Sequence, residues 1–361
     1  MKLGKILGRV VIVLIGLFLI YVFFAPLPFD LGSWQPPVPP APEGPYAPNS
    51  VLASVTRLEL GGHFAPEDIA LDRQGRIYGG TVDGKIVRLD ADGTHPQVFA
   101  DTHGRPLGLI FDASGNLLVS DADKGLLKVD PTGAITVLAT EADGDPFRCT
   151  NDLDVAADGT IYFTDSSDKY PIQAFMIDLI EHQPRGRFMS YDPNTKKVTV
   201  LVPHRYFANG VAISPDQSFV LFVETGSYKV TRYWLKGPKQ GTVDDFASDL
   251  PGIPDGILEN GQGDYWVTLV SPRDPLFDWL MDHPFLRKAY LRLPGFMRPA
   301  QKEFAYVLEL DANGHAVRNL QDTSSGAFIK ITNAVEHDGQ LYLGNIGQGA
   351  IGRVALPAMA N

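Results

Sequence analysis

Six short segments of the chain open on residues suited to a hard cation. They read PEDIALDRQGRIYGG (66–80), PLGLIFDASGNLLVS (106–120), TNDLDVAADGTIYFT (150–164), ANGVAISPDQSFVLF (208–222), PDGILENGQGDYWVT (254–268) and TNAVEHDGQLYLGN (332–345). Aligned on their first strand, the opening positions hold Glu67, Leu107, Asn151, Asn209, Asp255 and Asn333. Five of these six side chains bear an oxygen donor, and two are carboxylates. Calcium takes about six to eight oxygens from carboxylates, amide carbonyls, backbone and water. A set that mixes amides with carboxylates limits charge repulsion in a narrow space. Zinc and copper favour imidazole and thiolate, which the set lacks. Asn and Asp also form turns and cap strand starts, but that explains one or two positions rather than five. The next position holds Asp68, Gly108, Asp152, Gly210, Gly256 and Ala334. Asp68 and Asp152 either hold a second, deeper cation or cap backbone N–H groups of the channel.

Such a ring needs a fold that brings six equivalent strands to one axis. From Ser54 on, strand signals dominate and long helical periodicity is scarce. Each copy is a strand, a polar turn often containing Asp-Gly or a close variant, then further strands. Repeats of roughly 40–50 residues with three or four strands each indicate a β-propeller, whose innermost strands line a central channel. The expectation is an all-β, six-bladed propeller over residues 51–361. SVTRLEL (54–60) is expected to complete the last blade, so that no sheet edge stays open. Two segments interrupt the rhythm: IQAFMIDLIEHQ (172–183) in the third blade and PLFDWLMDHPFLRKAYLRLPGFM (275–297) in the fifth. Both read as short amphipathic helices. The second is either packed on a blade edge or forms a lid over the channel mouth, touching the membrane surface.

The first 25 residues stand apart from the repeat. Residues 10–25 form an uncharged, mostly apolar run that lengthens to 20 when extended back to Ile6, with Arg9 inside and able to snorkel. Lys2, Lys5 and Arg9 precede it, and no Lys or Arg follows until Arg57. The positive-inside rule puts the N-terminus in the cytoplasm and the rest on the far side of the membrane. No small-x-small site follows the run, which favours a signal anchor over a cleaved signal peptide. Residues 26–50 are a proline-rich linker, expected to act as a semi-rigid spacer that holds the propeller off the bilayer. A net charge of −11 argues against nucleic acid as a partner. The one cysteine, Cys149, cannot form an intramolecular disulfide and reads as a small core residue.

Several long motifs resemble the superfamily of six-bladed calcium propellers that includes strictosidine synthase-like proteins, adipocyte plasma membrane-associated protein, paraoxonases and the gluconolactonase/regucalcin group. They are GRPLGL (104–109), DADKGLLKVDP (121–131), NDLDV (151–155), IYFTDSSDKY (161–170), ANGVAIS (208–214), RYWLKGPKQGT (232–242), LPGIPDGI (250–257) and EHDGQLYLGN (336–345). The resemblance is strongest to the strictosidine synthase-like family, and it extends to the N-terminal anchor and the 275–297 insertion. It implies a catalytic calcium held by Glu67, Asn151, Asn209 and Asp255. By resemblance to paraoxonases, Asp68 and Asp152 hold part of a second, structural calcium. Three positions depart from these relatives: Gly256 replaces an Asn ligand of paraoxonases, Leu107 replaces their histidine, and Thr332 replaces the glutamate of strictosidine synthase.

The implied activity is calcium-dependent hydrolysis of a small lactone or aryl ester. The metal would polarise the carbonyl, Asp255 would act as general base, and Asn151 and Asn209 would fix metal and substrate. Two rivals stay open: a non-catalytic, calcium-stabilised binding propeller, and a strictosidine synthase-like C–N lyase, against which Thr332 speaks. No G-x-S-x-G occurs, so a serine-hydrolase elbow has no support. Among the eight histidines, His103 and His204 fall nearest the loops at the channel mouth and read as loop residues.

Overall fold

Each Asp-Gly-type turn reverses the chain tightly enough to pair consecutive strands. In the first copy Asp72 Oδ1 accepts the N–H groups of Gln74 and Arg76, and Gly75 takes φ +73°, which only glycine adopts cheaply. The computed structural model describes residues 2–28, 30–299 and 303–357. Six four-stranded antiparallel sheets form, five of them folded as meanders of consecutive strands. Their inner strands are Ile69–Leu71, Pro106–Phe111, Thr150–Val155, Ala208–Ile213, Gly252–Glu259 and Ile331–His337, for blades 1 to 6 in order. Each inner strand packs against the next, and the sixth packs against the first, so the ring closes. The protein is a six-bladed β-propeller.

Closure follows the expected route. Strand Thr56–Glu59 pairs antiparallel with Ala350–Ala355, joining Thr56 to Arg353 and Glu59 to Ala350. Blade 6 is therefore built from both ends of the propeller sequence. The core lies between blades, where apolar faces of adjacent sheets meet. Leu118 and Leu126 of blade 2, for instance, pack with Phe163 and Met189 of blade 3. Burial of such area supplies roughly 25 cal/mol per Å2.

Both interruptions are helical. Helix α1 (Lys2–Phe24) is the N-terminal apolar segment, with mean hydropathy 2.7 over residues 5–24. Helix α2 (Phe175–Glu181) lies between the second and third strands of blade 3. Helices α3 (Pro275–Met281) and α4 (Pro284–Arg292) lie at the matching place in blade 5. Asp274 caps α3 by accepting the N–H groups of Leu276 and Phe277, and Pro275 starts the helix without needing a donor.

The proline-rich segment differs from expectation. It is no free spacer but lies along the propeller. Gly32 N–H donates to Glu181 O at 2.8 Å, Trp34 N–H donates to Met281 O at 3.1 Å, and Asn49 bonds Asn319. Residues 30–40 are extended, which leaves their backbone groups free to bond neighbours, and a short turn follows at Gly44–Tyr46.

Candidate metal centre and active site

The ring residues stand where the inner strands bulge. Pairing in blade 3 runs from Thr150–Asp165 to Leu153–Phe163, which leaves Asn151 and Asp152 out of register. The same slip isolates Asn209–Gly210 in blade 4, Asp255–Gly256 in blade 5 and Thr332–Asn333 in blade 6. A bulge frees a residue from the ladder and re-aims its side chain, here toward the axis. Hydroxyls from second strands plug the gaps. Thr268 accepts Gly256 N–H and donates to Thr332 O of the next blade; Thr164 accepts Asp152 N–H and donates to Asn209 O.

This register corrects one ring position. Thr332, not Asn333, is the blade 6 equivalent of Glu67, and Asn333 belongs with Asp68 and Asp152. Thr332 stands four residues before Glu336, as Asn151 stands four before Val155, whereas matching the dipeptide Thr332-Asn333 to Thr150-Asn151 by residue type shifts the strand by one. Thr332 donates its hydroxyl to Glu67 O at 2.6 Å, tying blade 6 to blade 1.

Glu67, Asn151, Asn209 and Asp255 line one cavity of about 1060 Å3. Its wall includes Ile172, Phe175, Met176 and Leu179 from the blade 3 insertion, and Leu276, Phe277 and Met281 from the blade 5 insertion. Both insertions thus roof the axial site. A separate groove of about 630 Å3 runs along prolines 36–40, α3 and Tyr306 and holds no ring residue. His103 and His204 are exposed and line no cavity described here.

The amides are oriented by their partners. Ser166 donates its hydroxyl to Ala208 O at 2.7 Å, so it can only accept from Asn151, whose Nδ2 lies 2.9 Å away. Asn209 directs Nδ2 to Thr225 Oγ1 and to the Asp255 carboxylate, an acceptor only. Both amides therefore spend their NH2 groups on protein, and neither Oδ1 accepts a hydrogen bond from the described residues. Two bare amide oxygens and two carboxylates on one cavity floor form a donor set that fits calcium. Among the described residues no group of three or more His, Cys, Asp or Glu is gathered for a metal. Amides make up the deficit here.

The charges are poorly compensated without a cation. Burial raises the Glu67 carboxyl, and Arg105 offsets part of that through a 3.0 Å ion pair. Burial raises the Asp255 carboxyl well above the ordinary range, and the Glu67 charge raises it further. Arg105 also donates to Ala65 O and Gly80 O, which fixes its guanidinium beside the cavity. Sequence reasoning missed Arg105, Ser166 and Thr225. Their signals were present in GRPLGL (104–109), where Arg105 precedes a buried strand, and in TDSS (164–167) and ETGS (224–227), where polar residues end one.

Asp68 and Asp152 do not face the same space. With Asn333 they line a smaller cavity of about 250 Å3 farther along the axis. Asp68 accepts the N–H groups of Ile69 and Leu109, both at 2.6 Å, and Asp152 accepts those of Leu153 and Val211 at 2.8 and 2.7 Å. Each carboxylate clamps its own strand to a neighbouring one. Burial raises both, pushing Asp152 up to about 7. Asn333 Oδ1 is buried with no hydrogen-bond partner among the described residues.

His182, just after α2, stacks between Trp34 at 4.4 Å and Tyr206 at 4.5 Å. Burial, with the Arg287 charge second, pushes its pKa down to about 3 from an ordinary 6.5. The unfolded chain therefore takes up a proton that the folded chain refuses as pH falls through 6.5. The stability of wild type should drop relative to His182→Phe between pH 7 and 4, read as a widening difference in Tm by calorimetry.

Comparison with known proteins agrees with this architecture. The strictosidine synthase family description matches residues 151–238, and the strictosidine synthase-like N-terminal description matches residues 44–89. Strictosidine synthase-like 6 of Arabidopsis thaliana is 39% identical over 81% of this chain and 79% of its own length. The adipocyte plasma membrane-associated protein of Salmo salar is 34% identical over 95% of this chain and 88% of its own. Among solved structures, a gluconolactonase from Xanthomonas campestris shares the fold with a TM-score of 0.61 at 19% identity, covering 92% of this chain and 99% of its own. The calcium-binding protein regucalcin from Agrobacterium tumefaciens follows at 0.58 and 16%, covering 83% and 93%. With its ring of bulged inner strands and these two relatives above 30% identity, the chain belongs to the strictosidine synthase-like family.

Proposed function

We propose that the protein is a calcium-dependent hydrolase of lactones or aryl esters, acting at the floor of the large cavity. One observation carries the reading: Asn151 and Asn209 are locked with Oδ1 bare, between the carboxylates of Glu67 and Asp255. These four residues would hold calcium. When bound, it would polarise the substrate carbonyl and stabilise the developing oxyanion. Asp255 would accept the proton of the attacking water at its carboxylate. Asn209 holds that carboxylate in place through its Nδ2. Arg105 steadies Glu67, and the two helical insertions exclude bulk water. Thr332 offers no titratable group for amine–aldehyde condensation, and its hydroxyl is already committed to Glu67 O.

A second calcium belongs, in this reading, to the smaller cavity. Its support is the unpartnered Asn333 Oδ1 beside Asp68 and Asp152. Helix α1 is proposed as a single-pass anchor with the N-terminus cytoplasmic and the propeller on the outer side. Lys2, Lys5 and Arg9 support that orientation.

The test uses the full chain in lipid nanodiscs, a panel of aryl acetates and γ- and δ-lactones, and a calcium chelator. Hydrolysis should vanish on chelation and return with calcium, and dialysis should count two ions per chain. Hydrolysis that survives complete metal removal would sink the proposal. So would a calcium-stabilised protein that cleaves no member of the panel, which would leave a binding propeller.

A further inference from the structure

The N-terminal arm is held across the roof of the cavity by a specific set of groups. Three arginines of the blade 5 insertion and its approach each donate to a carbonyl of the N-terminal segment. Arg292 bonds Val22 O at 2.8 Å, Arg287 bonds Gly32 O, and Arg273 bonds Pro37 O at 2.5 Å. Arg287 is wholly buried, and its charge has no carboxylate partner within ion-pair reach among the described residues. On the blade 3 side the backbone of Asp30 and Gly32 bonds Glu181. Gly32 approaches so closely that a Cβ there would lie 2.5 Å from His182 O. The arm is thus stitched to the two insertions that roof the site.

Between these stitches stands Trp34, and its indole forms part of the cavity wall. It stacks on His182 of the blade 3 insertion at 4.4 Å and packs at a tilt of 57° against Tyr228 of blade 4 at 5.3 Å. Both partners are buried. Arg273 in turn lies over the Tyr228 ring at 4.5 Å and pairs with Asp278. An aromatic held this firmly presents a large apolar face at low entropic cost. Across the cavity stand other apolar side chains, among them Phe175, Met176, Leu276 and Phe277. The four ring residues lie at the floor, and Gln173, Arg273 and Asp274 add polar groups beside the apolar ones on the insertions.

We propose that Trp34 is a specificity-determining residue of this site, supplied from outside the propeller. Its indole packs against the hydrocarbon portion of an ester or lactone whose carbonyl sits at the ring. The site accordingly takes substrates with an extended apolar chain, and its wall is complete only while the arm is attached. This rests on the hydrolase reading above.

The experiment compares wild type, Trp34→Ala and Trp34→Phe as full chains in nanodiscs with calcium present. 4-Nitrophenyl acetate and 4-nitrophenyl hexanoate are the paired substrates. Trp34→Ala should raise KM for the hexanoate about tenfold with kcat nearly unchanged, and should leave kcat/KM for the acetate within about twofold. Trp34→Phe should restore most of the loss. Equal losses on both esters, or none on either, would overturn the assignment. A wild type that cleaves neither ester refutes the hydrolase reading, and binding then decides this one. The unreactive 4-nitrophenyl hexyl ether, titrated calorimetrically, should bind Trp34→Ala about tenfold more weakly than wild type. Equal affinity, or no binding to wild type, rejects a role for Trp34.

Discussion

Asp255→Asn should abolish hydrolysis while making the calcium-free protein more stable. Glu67 and Asp255 share the cavity floor, with Arg105 paired to Glu67 only. The Asp255 carboxyl is raised by burial first and by the Glu67 charge second. A charged form held in such a place destabilises the fold at neutral pH, and a neutral isostere relieves it. Asn keeps an oxygen that can accept from Asn209 Nδ2, so the local hydrogen bonding survives. It cannot act as a base, and it is a weaker calcium ligand. The loss of general-base action alone is typically about 10²–10⁴-fold in kcat. Calcium affinity should also fall. The Tm without calcium should rise by a few degrees, while the rise produced by added calcium should shrink. Activity assays and calorimetry with and without chelator check both arms. A variant that hydrolyses at the wild-type rate, or whose metal-free Tm falls, would refute this account of the floor.

Gly256→Ala should be the most damaging small substitution in the ring. Gly256 follows Asp255 in the blade 5 bulge, where neighbouring inner strands approach closely at the axis. A Cβ there would sit 2.3 Å from Thr332 O and 3.2 Å from Asn333 Cα of blade 6. Neither obstacle is a flexible side-chain end, so one blade must move against the other. Overpacking of this kind costs about 1–3 kcal/mol, and backbone contact puts this site at or above the top of that range. For a domain of about 300 residues, about 3 kcal/mol lowers Tm by roughly 5 °C. Gly295→Ala, in open space, should change Tm by less than about 1 °C. Loss of calcium binding should accompany the first substitution, because Asp255 and Thr332 belong to the strands being parted. A Gly256→Ala protein with wild-type Tm would show that the blades are not closed as described.

Much of this was legible from residue types because a propeller repeats itself. Six copies of one strand–turn–strand pattern imply six blades, and equivalent positions in a ring meet on the axis. Glu67, Asn151, Asn209 and Asp255 could therefore be brought together on paper. The blade 6 register could not. The dipeptide Thr-Asn at 332–333 repeats that at 150–151, but the bulge falls one residue earlier relative to it, which moves Asn333 out of the upper ring and puts Thr332 in. A deeper place for Asp68 and Asp152 was legible from their position one residue past the ring, but the groups they bond were not. Which side of a bulge a carboxylate faces depends on the N–H groups of the next blade, such as Leu109 and Val211, which lie dozens of residues away.

Composition alone determined the apolar span, the acidic balance and the oxygen-rich donor set, since each is a property of the residues themselves. Tertiary structure decided what the proline-rich segment does. Read as a sequence, it is a stiff spacer with unused carbonyls. In the folded chain those carbonyls meet Arg273 and Arg287 and its tryptophan meets His182 and Tyr228. Such partners come from blades 3, 4 and 5, and only closure of the ring sets them side by side. An extended strand with no internal hydrogen bonds takes whatever course its neighbours satisfy.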